Sequence, residues 1–106
     1  MKQVTEKSVY AFKNEKNFKR SNTEVSIYKP WIISFYLFGY CIATYNRNKN
    51  YLIISDCGRK TKTTKERLNW ILQAFDLGGI FQKKGVRYYE NNWTIEEFEW
   101  RKKFVF

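Results

Sequence analysis

The sequence predicts an α+β fold, with a mainly antiparallel sheet of about five strands, an N-terminal helix, a central helix and a β-β-β-α-β-β core. Two segments carry helical signals, one near the N-terminus and one in the middle of the chain. Around them, short aromatic and β-branched runs follow one another, separated by polar or Gly-containing turns. The 106 residues suit a single domain, 1–106, rather than two. Nine Phe, eight Tyr and four Trp, within 43% hydrophobic residues, argue for a packed core rather than disorder.

Thr5 to Phe18 reads as the first helix. Thr5 is placed to cap it, Glu6 suits its positive end, and Val9 and Phe12 with Tyr10 give it a partly apolar face. The polar string Lys19-Arg20-Ser21-Asn22 ends it. Val25 and Ile27 then alternate with polar partners as in a strand, and Tyr28-Lys29-Pro30 breaks the pattern. Trp31 to Ala43 is the most apolar stretch. It is shorter than the roughly 20 residues a membrane span needs, and Ser34 and Gly39 interrupt it. It reads as two strands, Trp31 to Phe38 and Tyr40 to Tyr45, that meet at a bend near Gly39. One continuous strand with a bulge is the alternative. Asn46 to Asn50 is a polar turn, and Tyr51 to Ser55 returns as a strand.

The central helix has the clearest signals. Thr63 with Glu66 three positions later forms a capping box. Leu68, Ile71, Leu72 and Phe75 follow the i, i+3, i+4, i+7 spacing of a buried face, and Gly78-Gly79 stops the helix. Ile80 to Lys84, a turn at Lys84-Gly85, and Val86 to Glu90 read as a hairpin. The tail, 93–106, carries two conflicting patterns. Thr94 and Glu97 make a second capping box, whereas Phe98, Trp100, Phe104 and Phe106 sit at even spacings as strand residues do. A short helical turn followed by an extended end is the expectation.

The chain carries a net charge of +10, large for its length, which draws a protein toward polyanions. Residues 1–87 hold 17 of the 20 basic side chains, while Glu90, Glu96, Glu97 and Glu99 cluster near the C-terminus. Five cations, Arg59, Lys60, Lys62, Lys65 and Arg67, fall within positions 59–67, in a hydroxyl-rich loop that feeds the central helix. They are candidate contacts for phosphates or an acidic partner. Thr61, Thr63 and Thr64, and the free N–H groups at the helix start, add donors. Tyr36, Tyr40, Tyr45, Tyr88 and Tyr89 would offer stacking surfaces to single strands if exposed.

Catalysis finds little support. The absence of histidine removes Ser-His-Asp and Cys-His arrangements, and Gly58-Arg59-Lys60-Thr61 lacks the upstream glycine spacing of a phosphate loop. Glu96, Glu97 and Glu99 read as a solvated face. No enzyme activity, no metal and no cofactor are expected. Cys41 and Cys57 form no CxxC pair and read as reduced thiols. Without an apolar signal-peptide core near Met1, the expected location is the cytoplasm of a host cell, away from membrane. In the tail, Trp93 and Trp100 are expected to be buried. Phe104 and Phe106 are candidate partner-binding aromatics.

Three blocks in this order resemble a family of small phage proteins of unknown function. They are Tyr36-Leu37-Phe38-Gly39-Tyr40-Cys41-Ile42-Ala43, Leu52-Ile53-Ile54-Ser55, and the helix start Thr61-Lys62-Thr63-Thr64-Lys65-Glu66-Arg67-Leu68-Asn69. The resemblance covers residues 5–93, departs where Arg59 stands in place of a Trp usual in the family, and supplies no catalytic residues. It implies an intracellular, phage-encoded accessory protein. With the charge pattern, the expected function is binding to a host protein or nucleoprotein complex that handles nucleic acid, in its sharpest form inhibition of a defence nuclease of the anti-CRISPR kind. The alternatives are direct binding of phage DNA or RNA, and self-assembly as a homodimer or structural protein through the tail.

Overall fold

A β-meander forms the body of the molecule and both helices lie on one side of it. In the computed structural model, which describes residues 2–106, the elements in chain order are α1 (Lys2–Lys13), β1 (Phe18–Arg20), β2 (Thr23–Lys29), β3 (Ile32–Leu37), β4 (Tyr40–Asn46), β5 (Tyr51–Ser55), α2 (Lys62–Ala74), β6 (Gly79–Lys83), β7 (Val86–Glu90), β8 (Ile95–Glu97) and β9 (Arg101–Val105). One antiparallel sheet has the order β1-β2-β3-β4-β5-β9, and a second has the order β6-β7-β8. The α+β class and both helices are as the sequence predicts.

Side chains alternate across a strand, so register decides what each face carries. One row aligns Val25, Phe35, Ala43 and Ile54; the next aligns Ile27, Ile33, Tyr45, Leu52 and Phe104. This apolar face receives the helices. Phe12 of α1 meets Phe35 and Phe75 edge-on at 5.7 and 5.9 Å between ring centroids. From α2, Leu68, Ile71, Leu72 and Phe75 are buried at the spacing read from the sequence. The small sheet docks beside α2. There the Asn69 amide brackets Ile80, donating to its carbonyl at 2.9 Å and accepting from its N–H at 2.6 Å. Tyr89 packs on Phe104 of β9 at 5.3 Å. The opposite face of the large sheet presents the row Ser26, Ser34, Thr44, Ile53 and Lys103.

Several boundaries differ from expectation. The first helix ends at Lys13, and Phe18 to Arg20 form a strand, because Glu15 turns into the left-handed region at φ 58°. Thr5 is inside that helix and fully buried, not at its cap. The cap of α2 is Thr61, not Thr63: extended at φ −97° and ψ 159°, it accepts from the Thr64 N–H at 3.2 Å, while Glu66 is drawn to Arg67. Helix α2 ends four residues before Gly78, with Asp76 taking the left-handed turn at φ 57°. The predicted helical turn in the tail is absent. Asn91, not Thr94, binds the free N–H groups there, and the segment forms the strands β8 and β9, with Phe104 the only one of the evenly spaced aromatics inside a strand. These short strands raise the count to nine among the described residues, above the expected five or so.

Candidate functional site

The basic loop between β5 and α2 is anchored from below by two buried charges. Asp56 is fully buried, and its Oδ1 accepts from the Gly58 N–H at 2.8 Å while its backbone carbonyl accepts from the Arg59 N–H at 2.8 Å. Arg87 of β7, also buried, donates from Nη2 to the Thr61 carbonyl at 3.1 Å. Its Nη1 lies 3.9 Å from Asp56 Oδ2, close enough for strong Coulomb attraction but beyond hydrogen-bond reach. The two ends of the loop, at Asp56 and Thr61, are thus tied to one interior ion pair, and the cations between them face outward.

Above this anchor sits an exposed corner of aromatic and cationic groups. The Arg59 guanidinium lies 4.7 Å from the Tyr40 ring centroid and 5.7 Å from that of Phe38. Both rings are open to solvent, Phe38 at 53% and Tyr40 at 45%. Phe38 and Gly39 make the two-residue turn between β3 and β4 with φ of 51° and 80°. Such a turn favours Asn-Gly, and a bulky aromatic in the left-handed region is strained. The chain therefore accepts a local cost that holds an apolar ring at the tip of a hairpin. Lys60 and Lys62 are exposed and Lys65 is half-buried. None of these three, nor Arg59, forms an ion pair among the described residues. The first turn of α2 contains no acidic residue, so its positive end and the lysines add to the same field.

Arg67 does not belong to this surface. It is 1% exposed, donates from Nη1 to the Thr5 hydroxyl and to the Glu66 carboxylate, and points Nη2 at Thr23 Oγ1, 3.4 Å away. It ties α1 and β2 to α2. The signal was present in the spacing: Thr64, Arg67, Leu68, Ile71 and Leu72 are all buried and fall on one helical face. Of the five tyrosines, Tyr40 is exposed, Tyr36, Tyr45 and Tyr88 are half-buried, and Tyr89 is buried with its hydroxyl donating to the Leu77 carbonyl.

The tail reverses three of the four aromatic expectations. Phe104 is core, whereas Phe106 stays 54% exposed while its ring stacks on Phe75 and meets Tyr45. Trp93, in contrast, is 91% exposed, and Trp100 is exposed as well. Phe98 and Phe104 are buried, and the two tryptophans lie in the connections on either side of β8. Trp93 belongs to a cleft of about 520 Å³ bounded by the end of α2, the turn 91–94 and β9. The Asn91 Oδ1 fixes that turn by accepting from the N–H groups of Trp93 and Thr94 at 2.8 and 2.9 Å. At the cleft wall Gly78 has φ 99°, and a Cβ there would sit 2.2 Å from the Glu90 carbonyl oxygen, so only glycine fits.

The family model described as Kyanoviridae Gp96 protein matches residues 1–105. The chain belongs to this phage family. Neither the curated proteins nor the solved structures searched gave a match. The family match spans the basic corner, its buried anchor and the cleft, so all three lie within the segment that defines membership. Among the described residues, no group of three or more His, Cys, Asp and Glu side chains converges as metal ligands, and no helix is long and apolar enough to cross a membrane.

Proposed function

We propose that the protein is a phage accessory protein that acts by binding, without a catalytic step of its own. It docks on a host nucleic-acid-handling complex through the corner formed by Phe38, Tyr40, Arg59, Lys60, Lys62 and Lys65. The observation that carries this reading is the Arg59 guanidinium lying across two exposed aromatic rings, followed in the chain by Lys60 and, in the first turn of α2, by Lys62 and Lys65, none of them in an ion pair among the described residues. Aromatic and Arg side chains that become desolvated together supply most of the energy of an interface. The flanking lysines steer the approach to an anionic surface. In its sharpest form the partner is a defence nuclease, and the protein is an inhibitor of the anti-CRISPR kind. The corner would then occupy a surface that otherwise receives nucleic acid or an acidic protein patch. The site of action is the host cytoplasm.

The test is capture of a partner from lysate of infected host cells, with and without nuclease treatment. The comparison is with a variant carrying Arg59→Glu, Lys60→Glu, Lys62→Glu and Lys65→Glu. Loss of a partner that survives nuclease treatment, with a thermal midpoint no lower than that of the wild type, is the expected result. Undiminished capture by a correctly folded variant overturns the proposal.

A further inference from the structure

We infer that the free edge of β9 is a second binding site, at which an extended strand of a partner protein, with acidic side chains alternating with apolar ones, adds to the large sheet. Asp56 donates its N–H to the Trp100 carbonyl at 3.0 Å, and Phe106 donates its N–H to the Asn50 carbonyl at 2.8 Å. In an antiparallel pair such bonds recur at every second residue. Leu52 stands opposite Phe104 and Ile54 opposite Lys102, so positions 102 and 104 are the ones that bond to β5. The N–H and C=O groups of Arg101, Lys103 and Val105 point the other way. Because β9 ends the order of the large sheet, those groups have no strand to pair with.

The edge borders open space. Lys102, Lys103, Phe104 and Val105 all line the cleft of about 520 Å³. Consecutive strand residues send their side chains to opposite faces, so a wall made of four in a row is the backbone edge itself. The other edges suit an added strand less well. β1 and β8 are three residues each, and β6 is held against α2 by Asn69. Short or covered edges are how sheets avoid unwanted pairing. β9, at five residues and beside a cleft, is neither.

Charge selects the partner. Arg101, Lys102 and Lys103 follow one another on β9. Arg101 and Lys103 are exposed on the face away from the helices and form no ion pair among the described residues; the Lys103 ammonium lies over the Tyr51 ring on that same face. In an antiparallel pair the residue opposite Arg101 bonds to its backbone and shares its face, so an acidic side chain there meets the guanidinium. The next residue of the added strand turns to the cleft side. Asp76 stands there, Glu96 already neutralises Lys102, and Leu77 and Trp93 line the wall, so an apolar side chain belongs in that position. A second copy of this chain would bring its own run of cations alongside, and like charges across a ladder repel. The edge is separate from the basic corner, and the two assignments fail independently.

The experiment is fluorescence anisotropy with a labelled peptide alternating glutamate and valine, the same peptide N-methylated at its glutamates, a lysine–valine counterpart and an oligothymidylate. The glutamate–valine peptide should bind tightest. N-methylation, which removes the N–H groups that face β9, should weaken it about tenfold. Val105→Pro keeps the charge and removes an N–H that β5 does not use, so it should weaken binding about tenfold with the ladder to β5 retained. Arg101→Glu should weaken the glutamate–valine peptide several-fold and strengthen its lysine–valine counterpart. Undiminished binding of the N-methylated peptide overturns the assignment, and that arm uses the wild-type protein whether or not the proline variant folds. Wild-type affinity in a folded Val105→Pro, no binding of the glutamate–valine peptide, or tighter binding of the oligothymidylate or the lysine–valine peptide overturns it too. A dimer in light scattering that Val105→Pro dissolves would give the edge to a second copy and overturn it likewise.

Discussion

Arg59 and Arg67 stand at opposite ends of one nine-residue basic run and have opposite duties. Arg59 lies on the surface across two exposed rings, in a loop whose neighbours break local rules. Phe38 occupies a left-handed turn position, and Lys62 sits at the positive end of α2. Arg67 is interior and joins α1, α2 and β2 through hydroxyl and carboxylate partners. Arg87 shares the interior role, reaching the loop from beneath. Charge in the sequence therefore does not give an address; helical phase and nearby acceptors do. Where a chain keeps unfavourable choices on its surface that no packing contact requires, those choices point to a binding surface.

The largest effect should come from the interior side of the comparison. Asp56→Ala leaves the buried Arg87 guanidinium without a counter-charge and frees the Gly58 N–H. Removing one member of a buried pair costs about 3–5 kcal/mol, to be read as a loss of unfolding free energy in denaturant titration. A loss below about 1 kcal/mol, against that expected range, would mean that the 3.9 Å pair does not hold the loop and would break the division between anchor and display.

This division explains which parts of the fold were legible. The face 68, 71, 72 and 75, the strands meeting at Gly39 and the hairpin turning at Lys84-Gly85 were readable because apolar period and turn chemistry agree there. The cap of α2 was not, because Thr61 and Thr63 are both competent. The choice was made by tertiary structure: Glu66 is drawn to Arg67 and Thr5, and Arg87 holds the Thr61 carbonyl. Arg67 is interior because its helical phase, shared with Thr64, Leu68, Ile71 and Leu72, outweighs the exposure its charge suggests. Trp93 is outside although its size suggests burial, because the Asn91 turn that holds it there is a two-residue hydrogen-bond pattern with no apolar signal. The pairing of Arg59 with Tyr40 and Phe38 joins segments about 20 residues apart, which no local reading brings together.

A smaller effect tests whether the strain at the hairpin tip serves the surface. Phe38→Asn puts a residue that tolerates positive φ into the turn between β3 and β4. Relief of that strain should raise stability by about 1 kcal/mol, seen as a higher thermal midpoint, while partner capture falls because the Arg59 platform loses a ring. A variant that gains stability and keeps full binding would remove Phe38 from the interface and leave Tyr40 as the sole support for Arg59.

The smallest effect discriminates most sharply, because stability and binding should move in opposite directions. Lys62 is the first residue of α2, where the helix presents its positive end and carries no acidic side chain. Lys62→Glu replaces repulsion with attraction at that end and should stabilise the fold by about 0.3–1 kcal/mol at low salt. The same change places a negative charge beside Arg59 and Lys60, within the field that attracts an anionic partner, so capture should weaken and weaken less as salt is added. A solubilising surface lysine would show the gain in stability without the loss of binding. A structural lysine would show neither. Only a cation kept for its partner, against the preference of its own helix, gives a more stable protein that binds less well.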